Sequence, residues 1–178
     1  MKGAVFTEFI EFVEETYGFD TSDKMLEPTE DCDKIYTQAG NYPFEELVAL
    51  VLTVVEVEKL EVSEILYQFG IYLFGKLVRM APFLIHGSKS SLEAISKVDT
   101  YIHIEVKKLY PEAELPKFEV TKYTPDYLEM EYISEKQLEI LAKGLMIGAG
   151  RYFQETLEID YEVISEDPHT VLFKIKKV

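Results

Sequence analysis

The stretch Tyr127-Leu128-Glu129-Met130-Glu131-Tyr132-Ile133 alternates apolar and charged side chains with a period of two. Leu128, Met130 and Tyr132 share one face, and Glu129 and Glu131 point the other way, as in a half-buried strand. The turn signal Thr124-Pro125-Asp126 precedes it, and residues 118–123 read as a partner strand. Further on, Leu157, Ile159, Tyr161 and Val163 alternate again, as do Val171, Phe173 and Ile175, with Asp167-Pro168 in the turn between the two runs. Residues 135–153 carry a helical spacing. The second part of the chain is therefore expected to be an antiparallel sheet with one long helix across it.

Upstream of residue 110 the period is helical. Val5, Phe6, Phe9, Ile10, Val13 and Tyr17 recur at steps of three and four with glutamates between them, and Gly18 ends that run. Between 19 and 42, broken by Pro28, acids around Asp31 and Gly40-Asn41, a short helix and a loop are expected. Pro43 opens a helix to about Val57, where its missing N–H costs nothing. Its apolar run Leu47–Leu52 is expected to lie inside. A third helix is expected after a capping Ser63, through Phe69, Leu73, Phe74 and Leu77 to about Met80, with Pro82 stopping it. A loop at 87–91 and two helical stretches, roughly 91–98 and 100–110, end at Pro111. The fold class is α+β, a helical N-terminal subdomain packed on a C-terminal subdomain of antiparallel sheet plus helices. Residues 1–178 are expected to form a single domain, with subdomains of about 1–62 and about 63–178.

Composition narrows the function. Hydrophobic residues make up 47% of 178, with 12 Tyr and 11 Phe, enough for a real core. A formal net charge of -15 argues against binding nucleic acid or an anionic membrane surface. The single cysteine, Cys32, leaves no internal disulfide framework and no Cys-rich zinc site, and fits a reducing, cytoplasmic compartment. No targeting segment is evident, and the longest apolar stretch, Leu47 to Val55, falls short of the roughly 20 residues a bilayer span needs. No phosphate loop, G-x-S-x-G or His-Glu-x-x-His occurs.

There are three histidines. His86 precedes Gly87 and is expected in a loop, and His169 follows Pro168 in a hairpin turn. Only His103 is expected in a regular amphipathic helix, with Ile102, Val106 and Leu109-Tyr110 on or near its apolar face. A neutral imidazole facing a core is a competent ligand for iron, zinc or copper. By position alone, a core histidine bonded to a carbonyl is the commoner reading.

The surrounding motifs shift that balance. They are Met1-Lys2-Gly3, Gly70-Ile71-Tyr72-Leu73-Phe74, His103-Ile104-Glu105-Val106-Lys107-Lys108-Leu109-Tyr110-Pro111 followed by Leu115-Pro116, Glu131-Tyr132-Ile133-Ser134, and Gly144-Leu145-Met146-Ile147-Gly148. In order and spacing, over nearly the whole length, the chain resembles the haem nitric oxide/oxygen-binding (H-NOX) family. The resemblance implies haem b (iron protoporphyrin IX) between the subdomains, with His103 as axial ligand of the iron. It implies Tyr132, Ser134 and Lys136 at the propionates, matching a Tyr-x-Ser-x-Arg signature in which lysine here replaces arginine. It implies that Pro116 presses on the haem. A helix cap is a second reading of the same turn, with Ser134 as N-cap and Gln137 completing a capping box. Both can hold together.

The resemblance places Val5, Phe9, Leu73, Leu77, Leu141 and Leu145 on the distal side, where none can donate a hydrogen bond. Iron-bound O₂ gains from a donor, and iron(II)–NO is strong without one. The expected ligands are therefore NO and CO, with no stable oxy complex. Without the resemblance the same six are ordinary core residues. Gly144 and Gly148 suit close approach to a flat ring or a strand, or equally simple helix–sheet packing. The resemblance further implies that NO loosens the iron–His103 bond and that a separate partner reads the change, a histidine kinase or a cyclic-dinucleotide signalling enzyme. An enzyme is not expected, because peroxide chemistry needs a distal acid–base group. The rival expectation is a haem-free ligand-binding or adaptor domain on the same fold.

Overall fold

The computed structural model describes residues 1–27 and 34–178. Pro28, Asp31 and Cys32, which entered the sequence reading, lie outside the described residues. The chain divides into two compact units, Met1–Phe69 and Gly70–Val178.

The first unit holds helices α1 (Gly3–Tyr17), α2 (Phe19–Leu26), α3 (Phe44–Glu58) and the opening turns of α4 (Val62–Met80). Gly18 ends α1 with a positive φ of 93°, which a glycine adopts without steric cost. Phe6, Phe9, Phe12 and Val13 of α1 are buried, as are Leu47, Leu50, Val51 and Val54 of α3 and Ile65 and Phe69 of α4. Phe9 meets Phe69 edge-on with ring centroids 5.0 Å apart, and Phe12 meets Phe69 at 5.5 Å. The N-terminus is tied in. The Met1 amine donates to the Tyr42 carbonyl at 2.6 Å, and the Gly3 N–H donates to the Gly40 carbonyl at 2.8 Å. A Cβ on Gly3 would collide with the Thr37 carbonyl oxygen, so the residue at position 3 has to be glycine for this closure.

Two expectations fail here. The run Leu47–Leu52 is not wholly inside: Val48 is 38% and Leu52 51% exposed, since a surface helix buries a stripe and not its circumference. Ser63 is not a cap, because α4 already begins at Val62 and the Glu61 carbonyl receives the first amides, from Glu64 and Ile65.

The second unit continues from α4 through a 3-10 turn (Pro82–Ile85), α5 (Ser91–Ser96), a π-helical turn (Val98–Ile102) and α6 (His103–Leu109). Strands β1 (Lys117–Thr124) and β2 (Tyr127–Ile133) follow, then α7 (Glu139–Tyr152), β3 (Leu157–Glu166) and β4 (His169–Lys177). The sheet is antiparallel in the order β1-β2-β4-β3, which leaves β1 at an edge. Leu128, Met130 and Tyr132 of β2 and Val171, Phe173 and Ile175 of β4 are buried, as their alternation requires. They form one core with Leu92 and Ile95 of α5 and Ala142, Met146 and Ala149 of α7. The α+β class is thus observed, with seven α-helices and four strands among the described residues.

Gly148 of α7 lies against α4, and Gly150 closes on Leu157 at the start of β3. A Cβ on Gly70 of α4 would collide with the Leu141 carbonyl oxygen and come 2.8 Å from the Gly144 Cα, and one on Gly148 would come 2.6 Å from the Phe74 Cβ. So α4 and α7 cross at backbone contact. Among the described residues, no helix is long and apolar enough to cross a membrane.

Candidate functional site

His103 opens α6 immediately after the π-helical turn, a break that its amphipathic spacing does not announce. The Ile102 N–H donates to the Lys97 carbonyl at 3.1 Å, and the His103 N–H reaches the Val98 carbonyl, both five residues back. Such widened turns concentrate at functional sites. The His103 side chain is 16% exposed. Its Nδ1 is buried without a well-formed hydrogen bond and lies 3.5 Å from Asp99 Oδ1. Burial pushes the imidazole below its ordinary value, against the pull of Asp99. The ring is therefore held in the neutral form that metal ligation needs.

An aromatic chain runs from this imidazole to the tyrosine–serine–lysine turn. The His103 and Phe118 rings are 5.8 Å apart, and Phe118 and Tyr132 are 5.2 Å apart. Burial raises the Tyr132 hydroxyl above its ordinary value, opposed by Ser134 and by the Leu138 N–H, which donates to it at 3.2 Å. The Ser134 hydroxyl accepts the Lys136 N–H at 3.2 Å, and the Ser134 N–H donates to the His169 carbonyl. Lys136 Nζ pairs with Glu114 at 2.5 Å, and this hydrogen bond holds the Glu114 carboxyl below the usual range. Within the second unit the fold thus brings His103, Tyr132, Ser134 and Lys136 into one neighbourhood. Pro116 is half-buried directly before β1.

The capping-box reading is corrected. Helix α7 starts at Glu139, and Gln137 has a φ of 48°, so Ser134 shapes a turn and caps no helix. His169 is corrected too: it is the first residue of β4, 8% exposed, with Nε2 3.5 Å from Glu139 Oε2. It pairs with Glu166 across the hairpin, so strand geometry begins one residue after Pro168. His86 sits exposed beside the 3-10 turn, as expected.

The six apolar positions fall in both units. Val5 is half-buried and Phe9 fully buried on α1. In the second unit, Leu73 and Leu77 lie on α4 and Leu141 and Leu145 on α7, the two helices that cross at Gly70 and Gly144. Leu73 and Leu141 are buried, and Leu77 and Leu145 are half-buried. Sequence reasoning missed Asp99, Phe118 and Glu114. The first was findable, since Asp99 is four residues before His103 and shares its face. The other two meet their partners only through tertiary packing.

These donors fit a haem. Among the described residues, no three metal-ligating side chains converge, so His103 offers iron a single neutral nitrogen. One protein imidazole is what an iron needs when a porphyrin supplies the in-plane nitrogens. The hydroxyls of Tyr132 and Ser134 and the Lys136 ammonium suit carboxylates.

A family model described as haem-NO-binding matches residues 2–161. A search of curated proteins returns no match. Among solved structures, the chain is 32% identical to an Fe(II) unliganded H-NOX protein from K. algicida, with a TM-score of 0.91 and coverage of 100% of this chain and 97% of that one. It is 35% identical to the H-NOX from Shewanella woodyi in the Fe(II)CO ligation state, with a TM-score of 0.83 and coverage of 100% and 95%. It is 25% identical to an H-NOX protein from S. oneidensis in the Fe(II)NO ligation state, with a TM-score of 0.88 and coverage of 100% and 99%. Agreement over nearly all of the sequence and the whole architecture makes this chain a member of the haem-NO-binding (H-NOX) family of gas-sensor domains.

Proposed function

We propose that the protein senses NO through ferrous haem b held by His103, binds CO in the same way, and excludes O₂. The observation that carries this reading is the buried, neutral imidazole of His103, joined through Phe118 to the Tyr132–Ser134–Lys136 turn. Haem b supplies the gas-binding iron. His103 supplies one axial nitrogen. Tyr132 and Ser134 would donate hydrogen bonds to the propionates, and Lys136 would neutralise their charge. Pro116 would contact the haem. Val5, Phe9, Leu73, Leu77, Leu141 and Leu145 carry no proton donor, so as a distal set they would withhold the stabilisation O₂ needs.

Signalling follows from the attachment of the ligand. His103 is the first residue of α6, so displacement of its side chain acts on that helix directly. A ligand that favours the displaced arrangement shifts a two-state equilibrium. The reader is a separate partner, a histidine kinase or a cyclic-dinucleotide signalling enzyme in the cytoplasm. The family's role as a sensor and the apolar distal set both support a binding function over catalysis.

Ultraviolet–visible spectra of the reduced protein test this reading, taken under argon and with CO, NO and air. A Soret band that moves with CO and NO, and shows no reversible change in air, is expected. His103→Gly is expected to lose the band or to require added imidazole. A colourless protein that takes up no haemin would favour the haem-free adaptor, and a spectrum indifferent to His103→Gly would remove the ligand assignment.

A further inference from the structure

The carboxylate of Asp99 has two neighbours that no sequence motif connects. One is the Phe118 N–H, which donates to Oδ1 at 3.3 Å. The other is His103 Nδ1, 3.5 Å from the same oxygen. Phe118 stands near the start of an edge strand, and Asp99 meets its amide. The second approach follows from spacing, since residues four apart are neighbours on a helical face and Asp99 and His103 keep that relation across the π-helical turn. Closing the gap by about 0.5 Å would complete a normal hydrogen bond.

A neutral imidazole carries its proton on one nitrogen and a lone pair on the other, and the group bonded to the first decides which nitrogen faces a metal. Here the only acceptor beside the buried Nδ1 among the contacts described is Asp99. We propose that Asp99 is a positioning residue for the axial ligand. Its carboxylate, anchored by the Phe118 amide, accepts the Nδ1 proton of His103 and leaves Nε2 as the nitrogen presented to iron. This rests on the haem-sensor reading above. A carboxylate in this position raises the ligand's basicity and restrains its ring. It also ties the axial ligand to β1, so movement of His103 strains a contact that the first strand shares.

The test uses Asp99→Asn and Asp99→Ala. In the apoprotein, nitrogen-15 NMR of the neutral His103 ring is expected to show the proton on Nδ1 in the wild type and a shift toward the Nε2-protonated tautomer in Asp99→Ala. In the ferrous haem protein, resonance Raman is expected to place the iron–histidine stretch highest in the wild type, lower in Asp99→Asn and lowest in Asp99→Ala. Haem loss from Asp99→Ala should quicken by about 10-fold or more. Asparagine still accepts from the Phe118 amide, so Asp99→Asn reports on the carboxylate charge even where Asp99→Ala does not fold.

A wild-type ring protonated on Nε2, or one stretching frequency common to all three proteins, would overturn the proposal and leave the haem reading standing. A wild type that takes up no haem would overturn that reading, while the tautomer measurement would still decide whether Asp99 sets the ring.

Discussion

Lys136 is where this chain departs from the signature it otherwise keeps. Arginine presents a planar fork that grips a carboxylate with two parallel hydrogen bonds, whereas lysine offers a point charge on a flexible stem. That stem is turned to Glu114, 22 residues away in sequence. Lys136→Arg should therefore hold a propionate better. One added hydrogen bond of about 1 kcal/mol would slow haem transfer to apomyoglobin roughly five-fold. A transfer rate equal to or above that of the wild type would mean that position 136 does not hold the propionates. Glu155 makes a residue-scale prediction of another kind. Burial alone would raise its carboxyl above the ordinary 4.5, but the Ser91 amide and hydroxyl and Lys177 outweigh burial, and the net shift is downward. A lowered folded value means its stabilisation is fully present above the unfolded value and is lost as pH falls through the folded one. Glu155→Gln should cost about 1 kcal/mol at pH 7, and urea titrations should show the gap from wild type closing in acid. A gap independent of pH would show that the carboxylate charge is not what Ser91 recognises.

Among the elements, the crossing of α4 and α7 is set by absent side chains. Gly70 and Gly75 lie on the same helix with opposite surroundings: backbone of α7 stands where a Cβ on Gly70 would go, and nothing lies within 4 Å of one on Gly75. Gly70→Ala should destabilise by about 1–3 kcal/mol, because backbone cannot yield as a flexible side chain does. Gly75→Ala should stabilise by about 0.4–1 kcal/mol, through lower unfolded-state entropy and better helix propensity. Denaturant midpoints moving in opposite directions would confirm the pair. A neutral Gly70→Ala would show that the helices can separate cheaply. The turn before α6 is the element that periodicity misread. The sequence pattern runs smoothly from 100 to 110, and apolar spacing does not distinguish bonding four residues back from bonding five. The cap before α7 was misread for a related reason. Ser134 and Gln137 have the spacing of a capping box, but the Ser134 N–H is taken by the His169 carbonyl of β4, and helix geometry is delayed to Glu139.

For the whole molecule, charge is the dominant global property. With 33 acidic against 18 basic side chains, self-repulsion opposes the compact state. Raising sodium chloride from 10 mM toward 500 mM screens it, and relief of about 1 kcal/mol would lift the Tm by about 2–4 °C. A Tm that falls with salt would show that the cross-strand and helical ion pairs outweigh the net charge. The alternation in 127–133 and 171–175 and the three- and four-residue spacing in 5–17 were enough to divide the chain into helices and sheet, because burying one face imposes a period that survives in the sequence. The motifs around His103 and Tyr132 were enough to mark the family. Three things were decided only by tertiary structure. These are which side of the Leu47–Leu52 run faces inward, that Lys136 meets Glu114, and that Asp99 accepts the Phe118 amide. Each depends on what a second segment, distant in sequence, places beside the first, and local periodicity carries no record of that partner.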